Sequence, residues 1–370
     1  MIAISGLILA VASMSLIKAL DGSETLVMGV GTAFMVVTAA IVLISKALSL
    51  PRPRMVSDLK GKVALVTGAS RGIGKGIAIG LGQAQATVYI TGRSEKALKE
   101  AAAEVDAAGG KGIAVVCDHS NDGSIKKLFE KIAREQPGGL DILVHNAYAG
   151  VAAIFNSDKL KFWERGGEWW DTINNVGLRS HFITSQHAIP LMLKGADKDH
   201  PRLIVVVSSV AGSISLFDVA YGVGKAAKDK LAKDMAWQLE EHNIAAVSLW
   251  PGAVKTEYVQ DSILSADQGA SGSSLGSSSG AMFSRGETPL YSGFAVAALA
   301  RDKKVMSLTG KTLITEDVGE RYNFREADGT KPNNFRSIKS NLVHMPGVAR
   351  FVPRWIKVPK WVLAVMFNKF

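Results

Sequence analysis

Residues 63–74 read Val-Ala-Leu-Val-Thr-Gly-Ala-Ser-Arg-Gly-Ile-Gly. The opening apolar run has the length and composition of a short buried strand. It ends in glycines, and a helix-like stretch follows from Lys75. A strand that turns into a helix through glycines is the arrangement that receives a nucleotide pyrophosphate. Gly68 permits a tight turn, Gly72 lets the backbone approach phosphate oxygens, and Gly74 allows close helix–strand packing. The helix N-terminal amides then face the negative charge, with Ser70, Arg71 and Ile73 carried in the same loop. The spacing Gly-x-x-x-Gly-x-Gly is one residue longer than the common dinucleotide fingerprint. A glycine-rich turn without ligand has the same spacing, so the motif needs support from elsewhere in the chain.

Outward from this run, apolar β-rich segments alternate with helix-like stretches. They are Val63–Thr67, Thr87–Thr91, Gly112–Cys117, Ile142–His145, Leu203–Ser208, Ala245–Leu249 and Lys311–Ile314. Seven runs with intervening helices predict an α/β fold, a parallel sheet covered on both faces. A chain of 370 residues holds one such domain with appendages. One cysteine, Cys117, excludes an internal disulfide and reads as a small buried side chain at a strand end. No metal-ligand spacing or nucleic-acid signature accompanies the net charge of +10.

Tyr221 and Lys225 stand four residues apart in Ala-Tyr-Gly-Val-Gly-Lys-Ala-Ala. On a helix, i and i+4 share a face, so phenol and ammonium project into one space. A tyrosine titrates near pH ~10, and a neighbouring ammonium favours the phenolate. Such a pair moves protons near neutral pH, as carbonyl/alcohol redox chemistry requires. Alone, Tyr-x-x-x-Lys is a common accident. Beside a nucleotide loop it is a candidate catalytic centre.

Taken in order, the motifs resemble those of the short-chain dehydrogenase/reductase family. Its marks are Thr-Gly-x-x-x-Gly-x-Gly, Asn-Asn-Ala-Gly, a serine, Tyr-x-x-x-Lys, and Pro-Gly after the next strand. This chain has Thr67–Gly74, His145-Asn146-Ala147-Tyr148-Ala149-Gly150, Ser209, Tyr221 with Lys225, and Trp250-Pro251-Gly252-Ala253-Val254-Lys255-Thr256. The likeness runs from residue 60 to about 320. It implies a Rossmann-type, doubly wound, seven-stranded parallel sheet and a nicotinamide cofactor. It also implies that Tyr221 donates a proton to a substrate carbonyl, that Lys225 favours the phenolate and binds the nicotinamide ribose, and that a serine holds the carbonyl oxygen. Ser209 stands twelve residues before Tyr221 and Ser208 thirteen, so that assignment stays open, with Ser209 preferred. By the same likeness Asp118 contacts adenine, Asn146 and Ala147 lie against the adenosine side, and Pro251, Gly252, Val254 and Thr256 line the nicotinamide.

Charge reads the cofactor further. NAD-binding domains commonly place an acid after the second strand for the ribose 2′-hydroxyl. Here that place is Tyr89-Ile90-Thr91-Gly92-Arg93-Ser94, without an acid. Arg71 and Arg93 suit a 2′-phosphate, and with the resemblance they imply NADP(H). One departure concerns proton supply. Where the family carries asparagine on the preceding helix, Val176-Gly177-Leu178 puts Gly177, with Asn174 and Asn175 nearby. A water or Asn175 is left as the substitute.

The ends differ from the middle. Ile2–Ile17 and Leu26–Ser45 are uncharged, the second about as long as a hydrocarbon core is thick. Arg52, Arg54, Lys60 and Lys62 follow it, which by the positive-inside rule sets the enzyme domain on the cytosolic side. The expected organisation is an apolar anchor at 1–50 with one or two transmembrane helices, a linker at 51–61, a domain at 62–326 with a flexible Gly/Ser-rich loop at 265–286, and a tail at 327–370. That tail carries eight Lys/Arg and one acid, net +7, among aromatics, which suits either a membrane interface or packing on the domain edge. Residues 148–170 are aromatic and read as a packed loop or as the wall of an apolar pocket. The expectation is a membrane-anchored NADPH-dependent carbonyl reductase of the endoplasmic reticulum, acting on a steroid-, retinoid- or xenobiotic-like ketone or aldehyde. An alcohol dehydrogenase of lipid metabolism and a weakly active nucleotide-binding scaffold are the alternatives, and a homo-oligomer is implied by the family.

Overall fold

The structure, a computed structural model, describes residues 58–155, 160–194, 200–261, 283, 286–338, 356–359 and 362. Seven strands form one sheet: β1 Val63–Val66, β2 Thr87–Gly92, β3 Lys111–Val116, β4 Ile142–His145, β5 Arg202–Val207, β6 Ile244–Trp250 and β7 Thr312–Ile314. Each lies within one residue of the run expected from sequence. Their order is β3-β2-β1-β4-β5-β6-β7, and every neighbouring pair is parallel. The order reverses between β1 and β4, and that switch point is where such sheets open a crevice for ligands.

Alternation explains why the strands read as unbroken apolar runs. Ala64 and Val66 enter one core layer while Val63 and Leu65 enter the other; Leu203, Val205 and Val207 oppose Ile204 and Val206 in the same way. Both faces are covered, so neither can be polar. The helices are α1 Gly72–Gln83, α2 Glu95–Ala107, α3 Asp122–Glu135, α4 Val151–Phe155, α5 Gly167–Asn174, α6 Ser180–Leu193, α7 Val219–Leu239, α8 Glu257–Val259, α9 Pro289–Arg301 and α10 Thr315–Tyr322. Residues of α1, α2 and α9 fill the first layer, and those of α3, α6 and α7 the second.

Start signals match local chemistry. Ser94, Asn121, Asp218 and Thr288 accept backbone N–H bonds at the heads of α2, α3, α7 and α9, and Pro289 occupies the first turn of α9. Helix α1 lacks such a signal: Arg71 at its head offers no side-chain cap and no acid stands in its first turn.

Two edge segments have described residues in contact with the domain. The described part of the tail is held to the domain: Lys357 pairs with Asp317 and Glu320 of α10, Arg336 pairs with Asp317, and Ser337 bridges Lys357 in antiparallel fashion. Burial pushes the Asp317 carboxyl up, but Lys357 and Arg336 outweigh it and leave the group below the usual range. That cation is therefore spent on the domain. In the segment expected to be flexible, Phe283 is buried against Val259, Phe155 and Ala253, and Gly286 N–H bonds its carbonyl. Among the described residues no helix is long and apolar enough to cross a membrane. The two amino-terminal runs, and most of 265–286, lie outside the described residues.

Candidate active site

The glycine loop leaves β1 at Thr67 and is fastened to β4. Thr67 Oγ1 accepts from the amides of Asn146 and Ala147, while Asn146 Nδ2 donates to the carbonyls of Thr67 and Gly68, all near 2.9–3.0 Å. Gly68 has φ +64° and Gly72 φ +58°. A Cβ on Gly68 would lie 2.7 Å from Ala147 Cα, and one on Gly74 2.4 Å from Asn146 Nδ2. Glycine is thus required for approach of backbone to backbone as well as for the turn. Ile73 packs on the core behind the loop. Ser70 lies against Gly92, whose added Cβ would sit 3.2 Å from its Oγ.

The uncapped head of α1 already attracts an anion. Gly72 N–H donates to the Glu257 carboxylate at 2.9 Å, and Lys75 lies 3.5 Å from the same group. The Glu257 carboxylate is thus the acceptor that this helix-head amide finds from a distant part of the chain. Arg71 and Arg93 are exposed at this end of the sheet. Asp118, after β3, is held below the usual range first by Ser120 and then by the nearby Arg93 guanidinium. On the opposite rim, Pro251 and Gly252 follow β6, Val254 bridges Glu287, and Thr256 caps α8 through its Oγ1. A Cβ on Gly252 would come 2.5 Å from Glu316 Oε1. Glu316 and Glu287 are buried carboxyls that burial holds protonated more readily than usual, helped by repulsion from Glu287 at Glu316 and from Glu326 at Glu287, which rises to about 7.

Tyr221 and Lys225 lie on α7 as the spacing predicts. Lys225 is buried, and its Nζ lies 5.3 Å from the Tyr221 ring centroid. The two candidate serines separate by their bonds. Ser208 is buried and its hydroxyl donates to the Lys225 carbonyl at 3.0 Å, which fixes it as a brace for α7. Ser209 is half-buried, and its oxygen accepts from Ala211 N–H, a bond that leaves its own proton to give. The short path from Ser209 to Tyr221 passes through Phe217 at φ +64°, an unfavourable conformation for a bulky residue. The Phe217 ring meets Tyr221 at 5.5 Å and Phe155 at 5.7 Å. Trp169 donates to Asp218 at 3.0 Å, with Arg165 stacked 3.9 Å above its ring. Of the aromatic segment, then, Trp169 is packing, whereas Phe162, Trp163 and Trp170 are exposed.

Gly177 sits in a π-helical turn, Asn175–Arg179, between α5 and α6. A side chain there would meet Tyr148, whose Cδ2 is 2.7 Å from an added Cβ. Two departures from the family pattern are therefore one: the tyrosine after Asn146-Ala147 fills the space that the glycine leaves. Asn174, buried, donates to the Ala220 carbonyl at 3.0 Å, so the helix keeps an asparagine contact to α7 one residue before Tyr221. Gly177→Asn should lower stability by about 1–3 kcal/mol through overpacking. In a Tyr148→Ala background that penalty should largely vanish, as read by urea unfolding of the four proteins. Equal penalties in both backgrounds would show that Tyr148 is not the obstacle.

Sequence reading passed over Tyr148, Lys228 and Glu257. Lys228 had a signal, because 221, 225 and 228 are i, i+4 and i+7 of one helix stripe. Glu257 had none, since only the return of the chain after β6 brings it to Gly72.

A family model described as short chain dehydrogenase matches residues 62–266. The chain is 44% identical to Dehydrogenase/reductase SDR family member 1 of Homo sapiens over 329 residues, 85% of this chain and 100% of that protein. Its Mus musculus counterpart is 44% identical over 319 residues, with the same coverage. Among solved structures, the Pseudomonas aeruginosa RhlG/NADP active-site complex superposes with a TM-score of 0.59 at 25% identity, covering 70% of this chain and 97% of that one.

Proposed function

Because the chain belongs to the short-chain dehydrogenase/reductase family, we propose that it is a reductase that moves hydride from NADPH to an apolar ketone or aldehyde. The observation that carries the reading is the run Asn146-Ala147-Tyr148. Its first two residues clasp the glycine loop, and the third lies 6.1 Å from the Tyr221 ring and 5.2 Å from Lys225 Nζ. One short stretch ties the phosphate-facing loop to the proton-donating pair.

The residues fit a dinucleotide, as the uncapped α1 head and its drawn carboxylate indicate. When bound, the nicotinamide supplies the hydride. Tyr221 gives its hydroxyl proton to the substrate oxygen, the charge of Lys225 favours the phenolate left behind, and Ser209 donates a hydrogen bond to the same oxygen. Preference for NADPH is supported by the missing acid after β2, by exposed Arg71 and Arg93, and by the NADP named in the RhlG complex. An apolar substrate is supported by Phe155, which contacts both Phe217 and Tyr258, and by Phe217, which contacts Tyr221. The apolar runs within residues 1–50 support a membrane anchor that sets the domain on the cytosolic side, beside a bilayer into which apolar carbonyls partition.

The test begins with protein lacking residues 1–50, which should leave the membrane fraction. It should then oxidise NADPH with a panel of apolar ketones and aldehydes, and NADH far more slowly. Arg93→Asp should shift that preference toward NADH by at least about tenfold, the worth of one phosphate contact of ~1.4 kcal/mol. An unchanged cofactor ratio would remove Arg93 from the site, and inert panels with both cofactors would remove the reductase reading.

A further inference from the structure

Tyr221, Lys225 and Lys228 form one stripe of α7, and the third has no place in the chemistry above. Lys228 is 2% exposed. Its Nζ makes a long bond of 3.5 Å to the Val207 carbonyl, and it shares the face of the Tyr148 ring with Lys225 Nζ, the two lying 5.3 and 5.2 Å from that ring's centroid. Among the described residues no carboxylate lies within ion-pair distance of it: the adjacent Asp229 instead accepts from Ser248 Oγ and from Trp250 Nε1 at 2.9 Å. An ammonium buried without a counter-ion costs several kcal/mol. Two ammoniums side by side offer six donors and no acceptor, so they cannot hydrogen-bond to each other. Lys228 is the deeper of the two, and a neutral amine there would supply the acceptor that the stripe lacks.

We propose that Lys228 is a positioning residue, whose amine accepts a hydrogen bond from Lys225 Nζ and aims that group at Tyr221. It rests on the reading of Tyr221 and Lys225 as the catalytic pair. The groups facing Lys228 agree. On α7 these are Lys225 and Asp229. From β4 and the residue that follows Ala147 come His145 and the Tyr148 ring, and from α6 comes His181. Burial holds both imidazoles neutral, His145 down to about 3, and pushes the Lys228 amine well below the usual range, with Lys225 adding to the effect. Tyr148 presents its ring 5.2 Å from Lys225 Nζ and 5.3 Å from Lys228 Nζ, a face that attracts whichever of the two carries the proton. The polar support that Gly177 withdraws from behind the pair is thus replaced from its own helix.

Lys228→Gln keeps a neutral acceptor at similar reach, whereas Lys228→Met keeps the shape and loses it. With NADPH and the best carbonyl of the panel, Gln should hold kcat within about threefold and Met should lower it 10- to 100-fold with little change in the KM for NADPH. Simple packing predicts the reverse order, because Met suits an apolar seat better than Gln. A readout independent of turnover is the Cε resonance of lysine-labelled protein without substrate. The signal lost in Lys228→Gln should carry the shift of a free amine at pH 7.5. An ammonium shift there, or Met retaining as much kcat as Gln, overturns the proposal. Lys225→Met separates the two levels: activity surviving that change undoes the catalytic pair itself, while an inactive Lys225→Met with the wrong order at 228 undoes only the positioning role.

Discussion

Tyr221→Phe should lower turnover of NADPH with any reducible carbonyl by about three orders of magnitude, in the range by which a positioned general acid speeds proton transfer. The ring would stay where it is, because its contacts with Phe217 and Tyr148 are edge contacts that need no hydroxyl. Binding of NADPH, followed by fluorescence, should therefore change little, and unfolding midpoints should match the parent protein. Loss of the hydroxyl removes the proton that the new alcohol needs, and the neighbouring groups do not supply a second. Ser209 is an aliphatic alcohol that donates a hydrogen bond without releasing its proton, Ser208 is bonded to the Lys225 carbonyl, and burial pushes the Tyr148 phenol well above its usual range. Turnover persisting in this variant would sink the assignment of the proton donor, whatever the cofactor.

Gly76→Ala should be among the most destabilising single changes available outside the site. Helices α1 and α9 cross at backbone contact: a Cβ on Gly76 would lie 2.2 Å from both the carbonyl carbon and oxygen of Pro289, and one on Gly80 2.6 Å from the Gly293 carbonyl carbon. Gly293 in turn faces the Gly76 carbonyl. Backbone on both sides cannot rotate away, so the helices must separate. The loss should reach about 3 kcal/mol or more, the upper part of the overpacking range, lowering Tm by roughly 6–12 °C for a domain of this size. The effect should spread to the site, because α1 begins at Gly72 and α9 follows Glu287, which packs beneath Gly252. Weaker NADPH binding should accompany the lower Tm. A midpoint shift under 2 °C would mean that the seam opens without resistance.

The strands were legible because both faces of the sheet are covered: runs such as Leu203–Val207 have no polar face to disguise them. The glycine loop and the Tyr221/Lys225 spacing were legible for a related reason, being local in sequence and bound by backbone geometry. Their roles came from resemblance as much as from spacing. The choice between Ser208 and Ser209 was not legible, since both sit at the end of β5 and only their partners on α7 and at Ala211 tell them apart. Nor was the fate of Lys357, whose charge suited a membrane surface in sequence and in the fold is paired with Asp317 and Glu320.

Gly177 shows the boundary most clearly. By itself the sequence determined the fold, the glycine loop after β1 and the Tyr221/Lys225 pair on one helix face, since each depends on residues a few positions apart and on periods the backbone imposes. Only the tertiary structure decided that the glycine is answered by Tyr148, and that Lys228 stands behind Lys225. Both are contacts between residues distant in sequence or buried by their surroundings: Tyr148 and Gly177 belong to different elements, and the burial of Lys228 is set by β4, β5 and α6 closing over α7. Spacing along a chain fixes which side chains share a face. What that face meets is fixed by the rest of the fold.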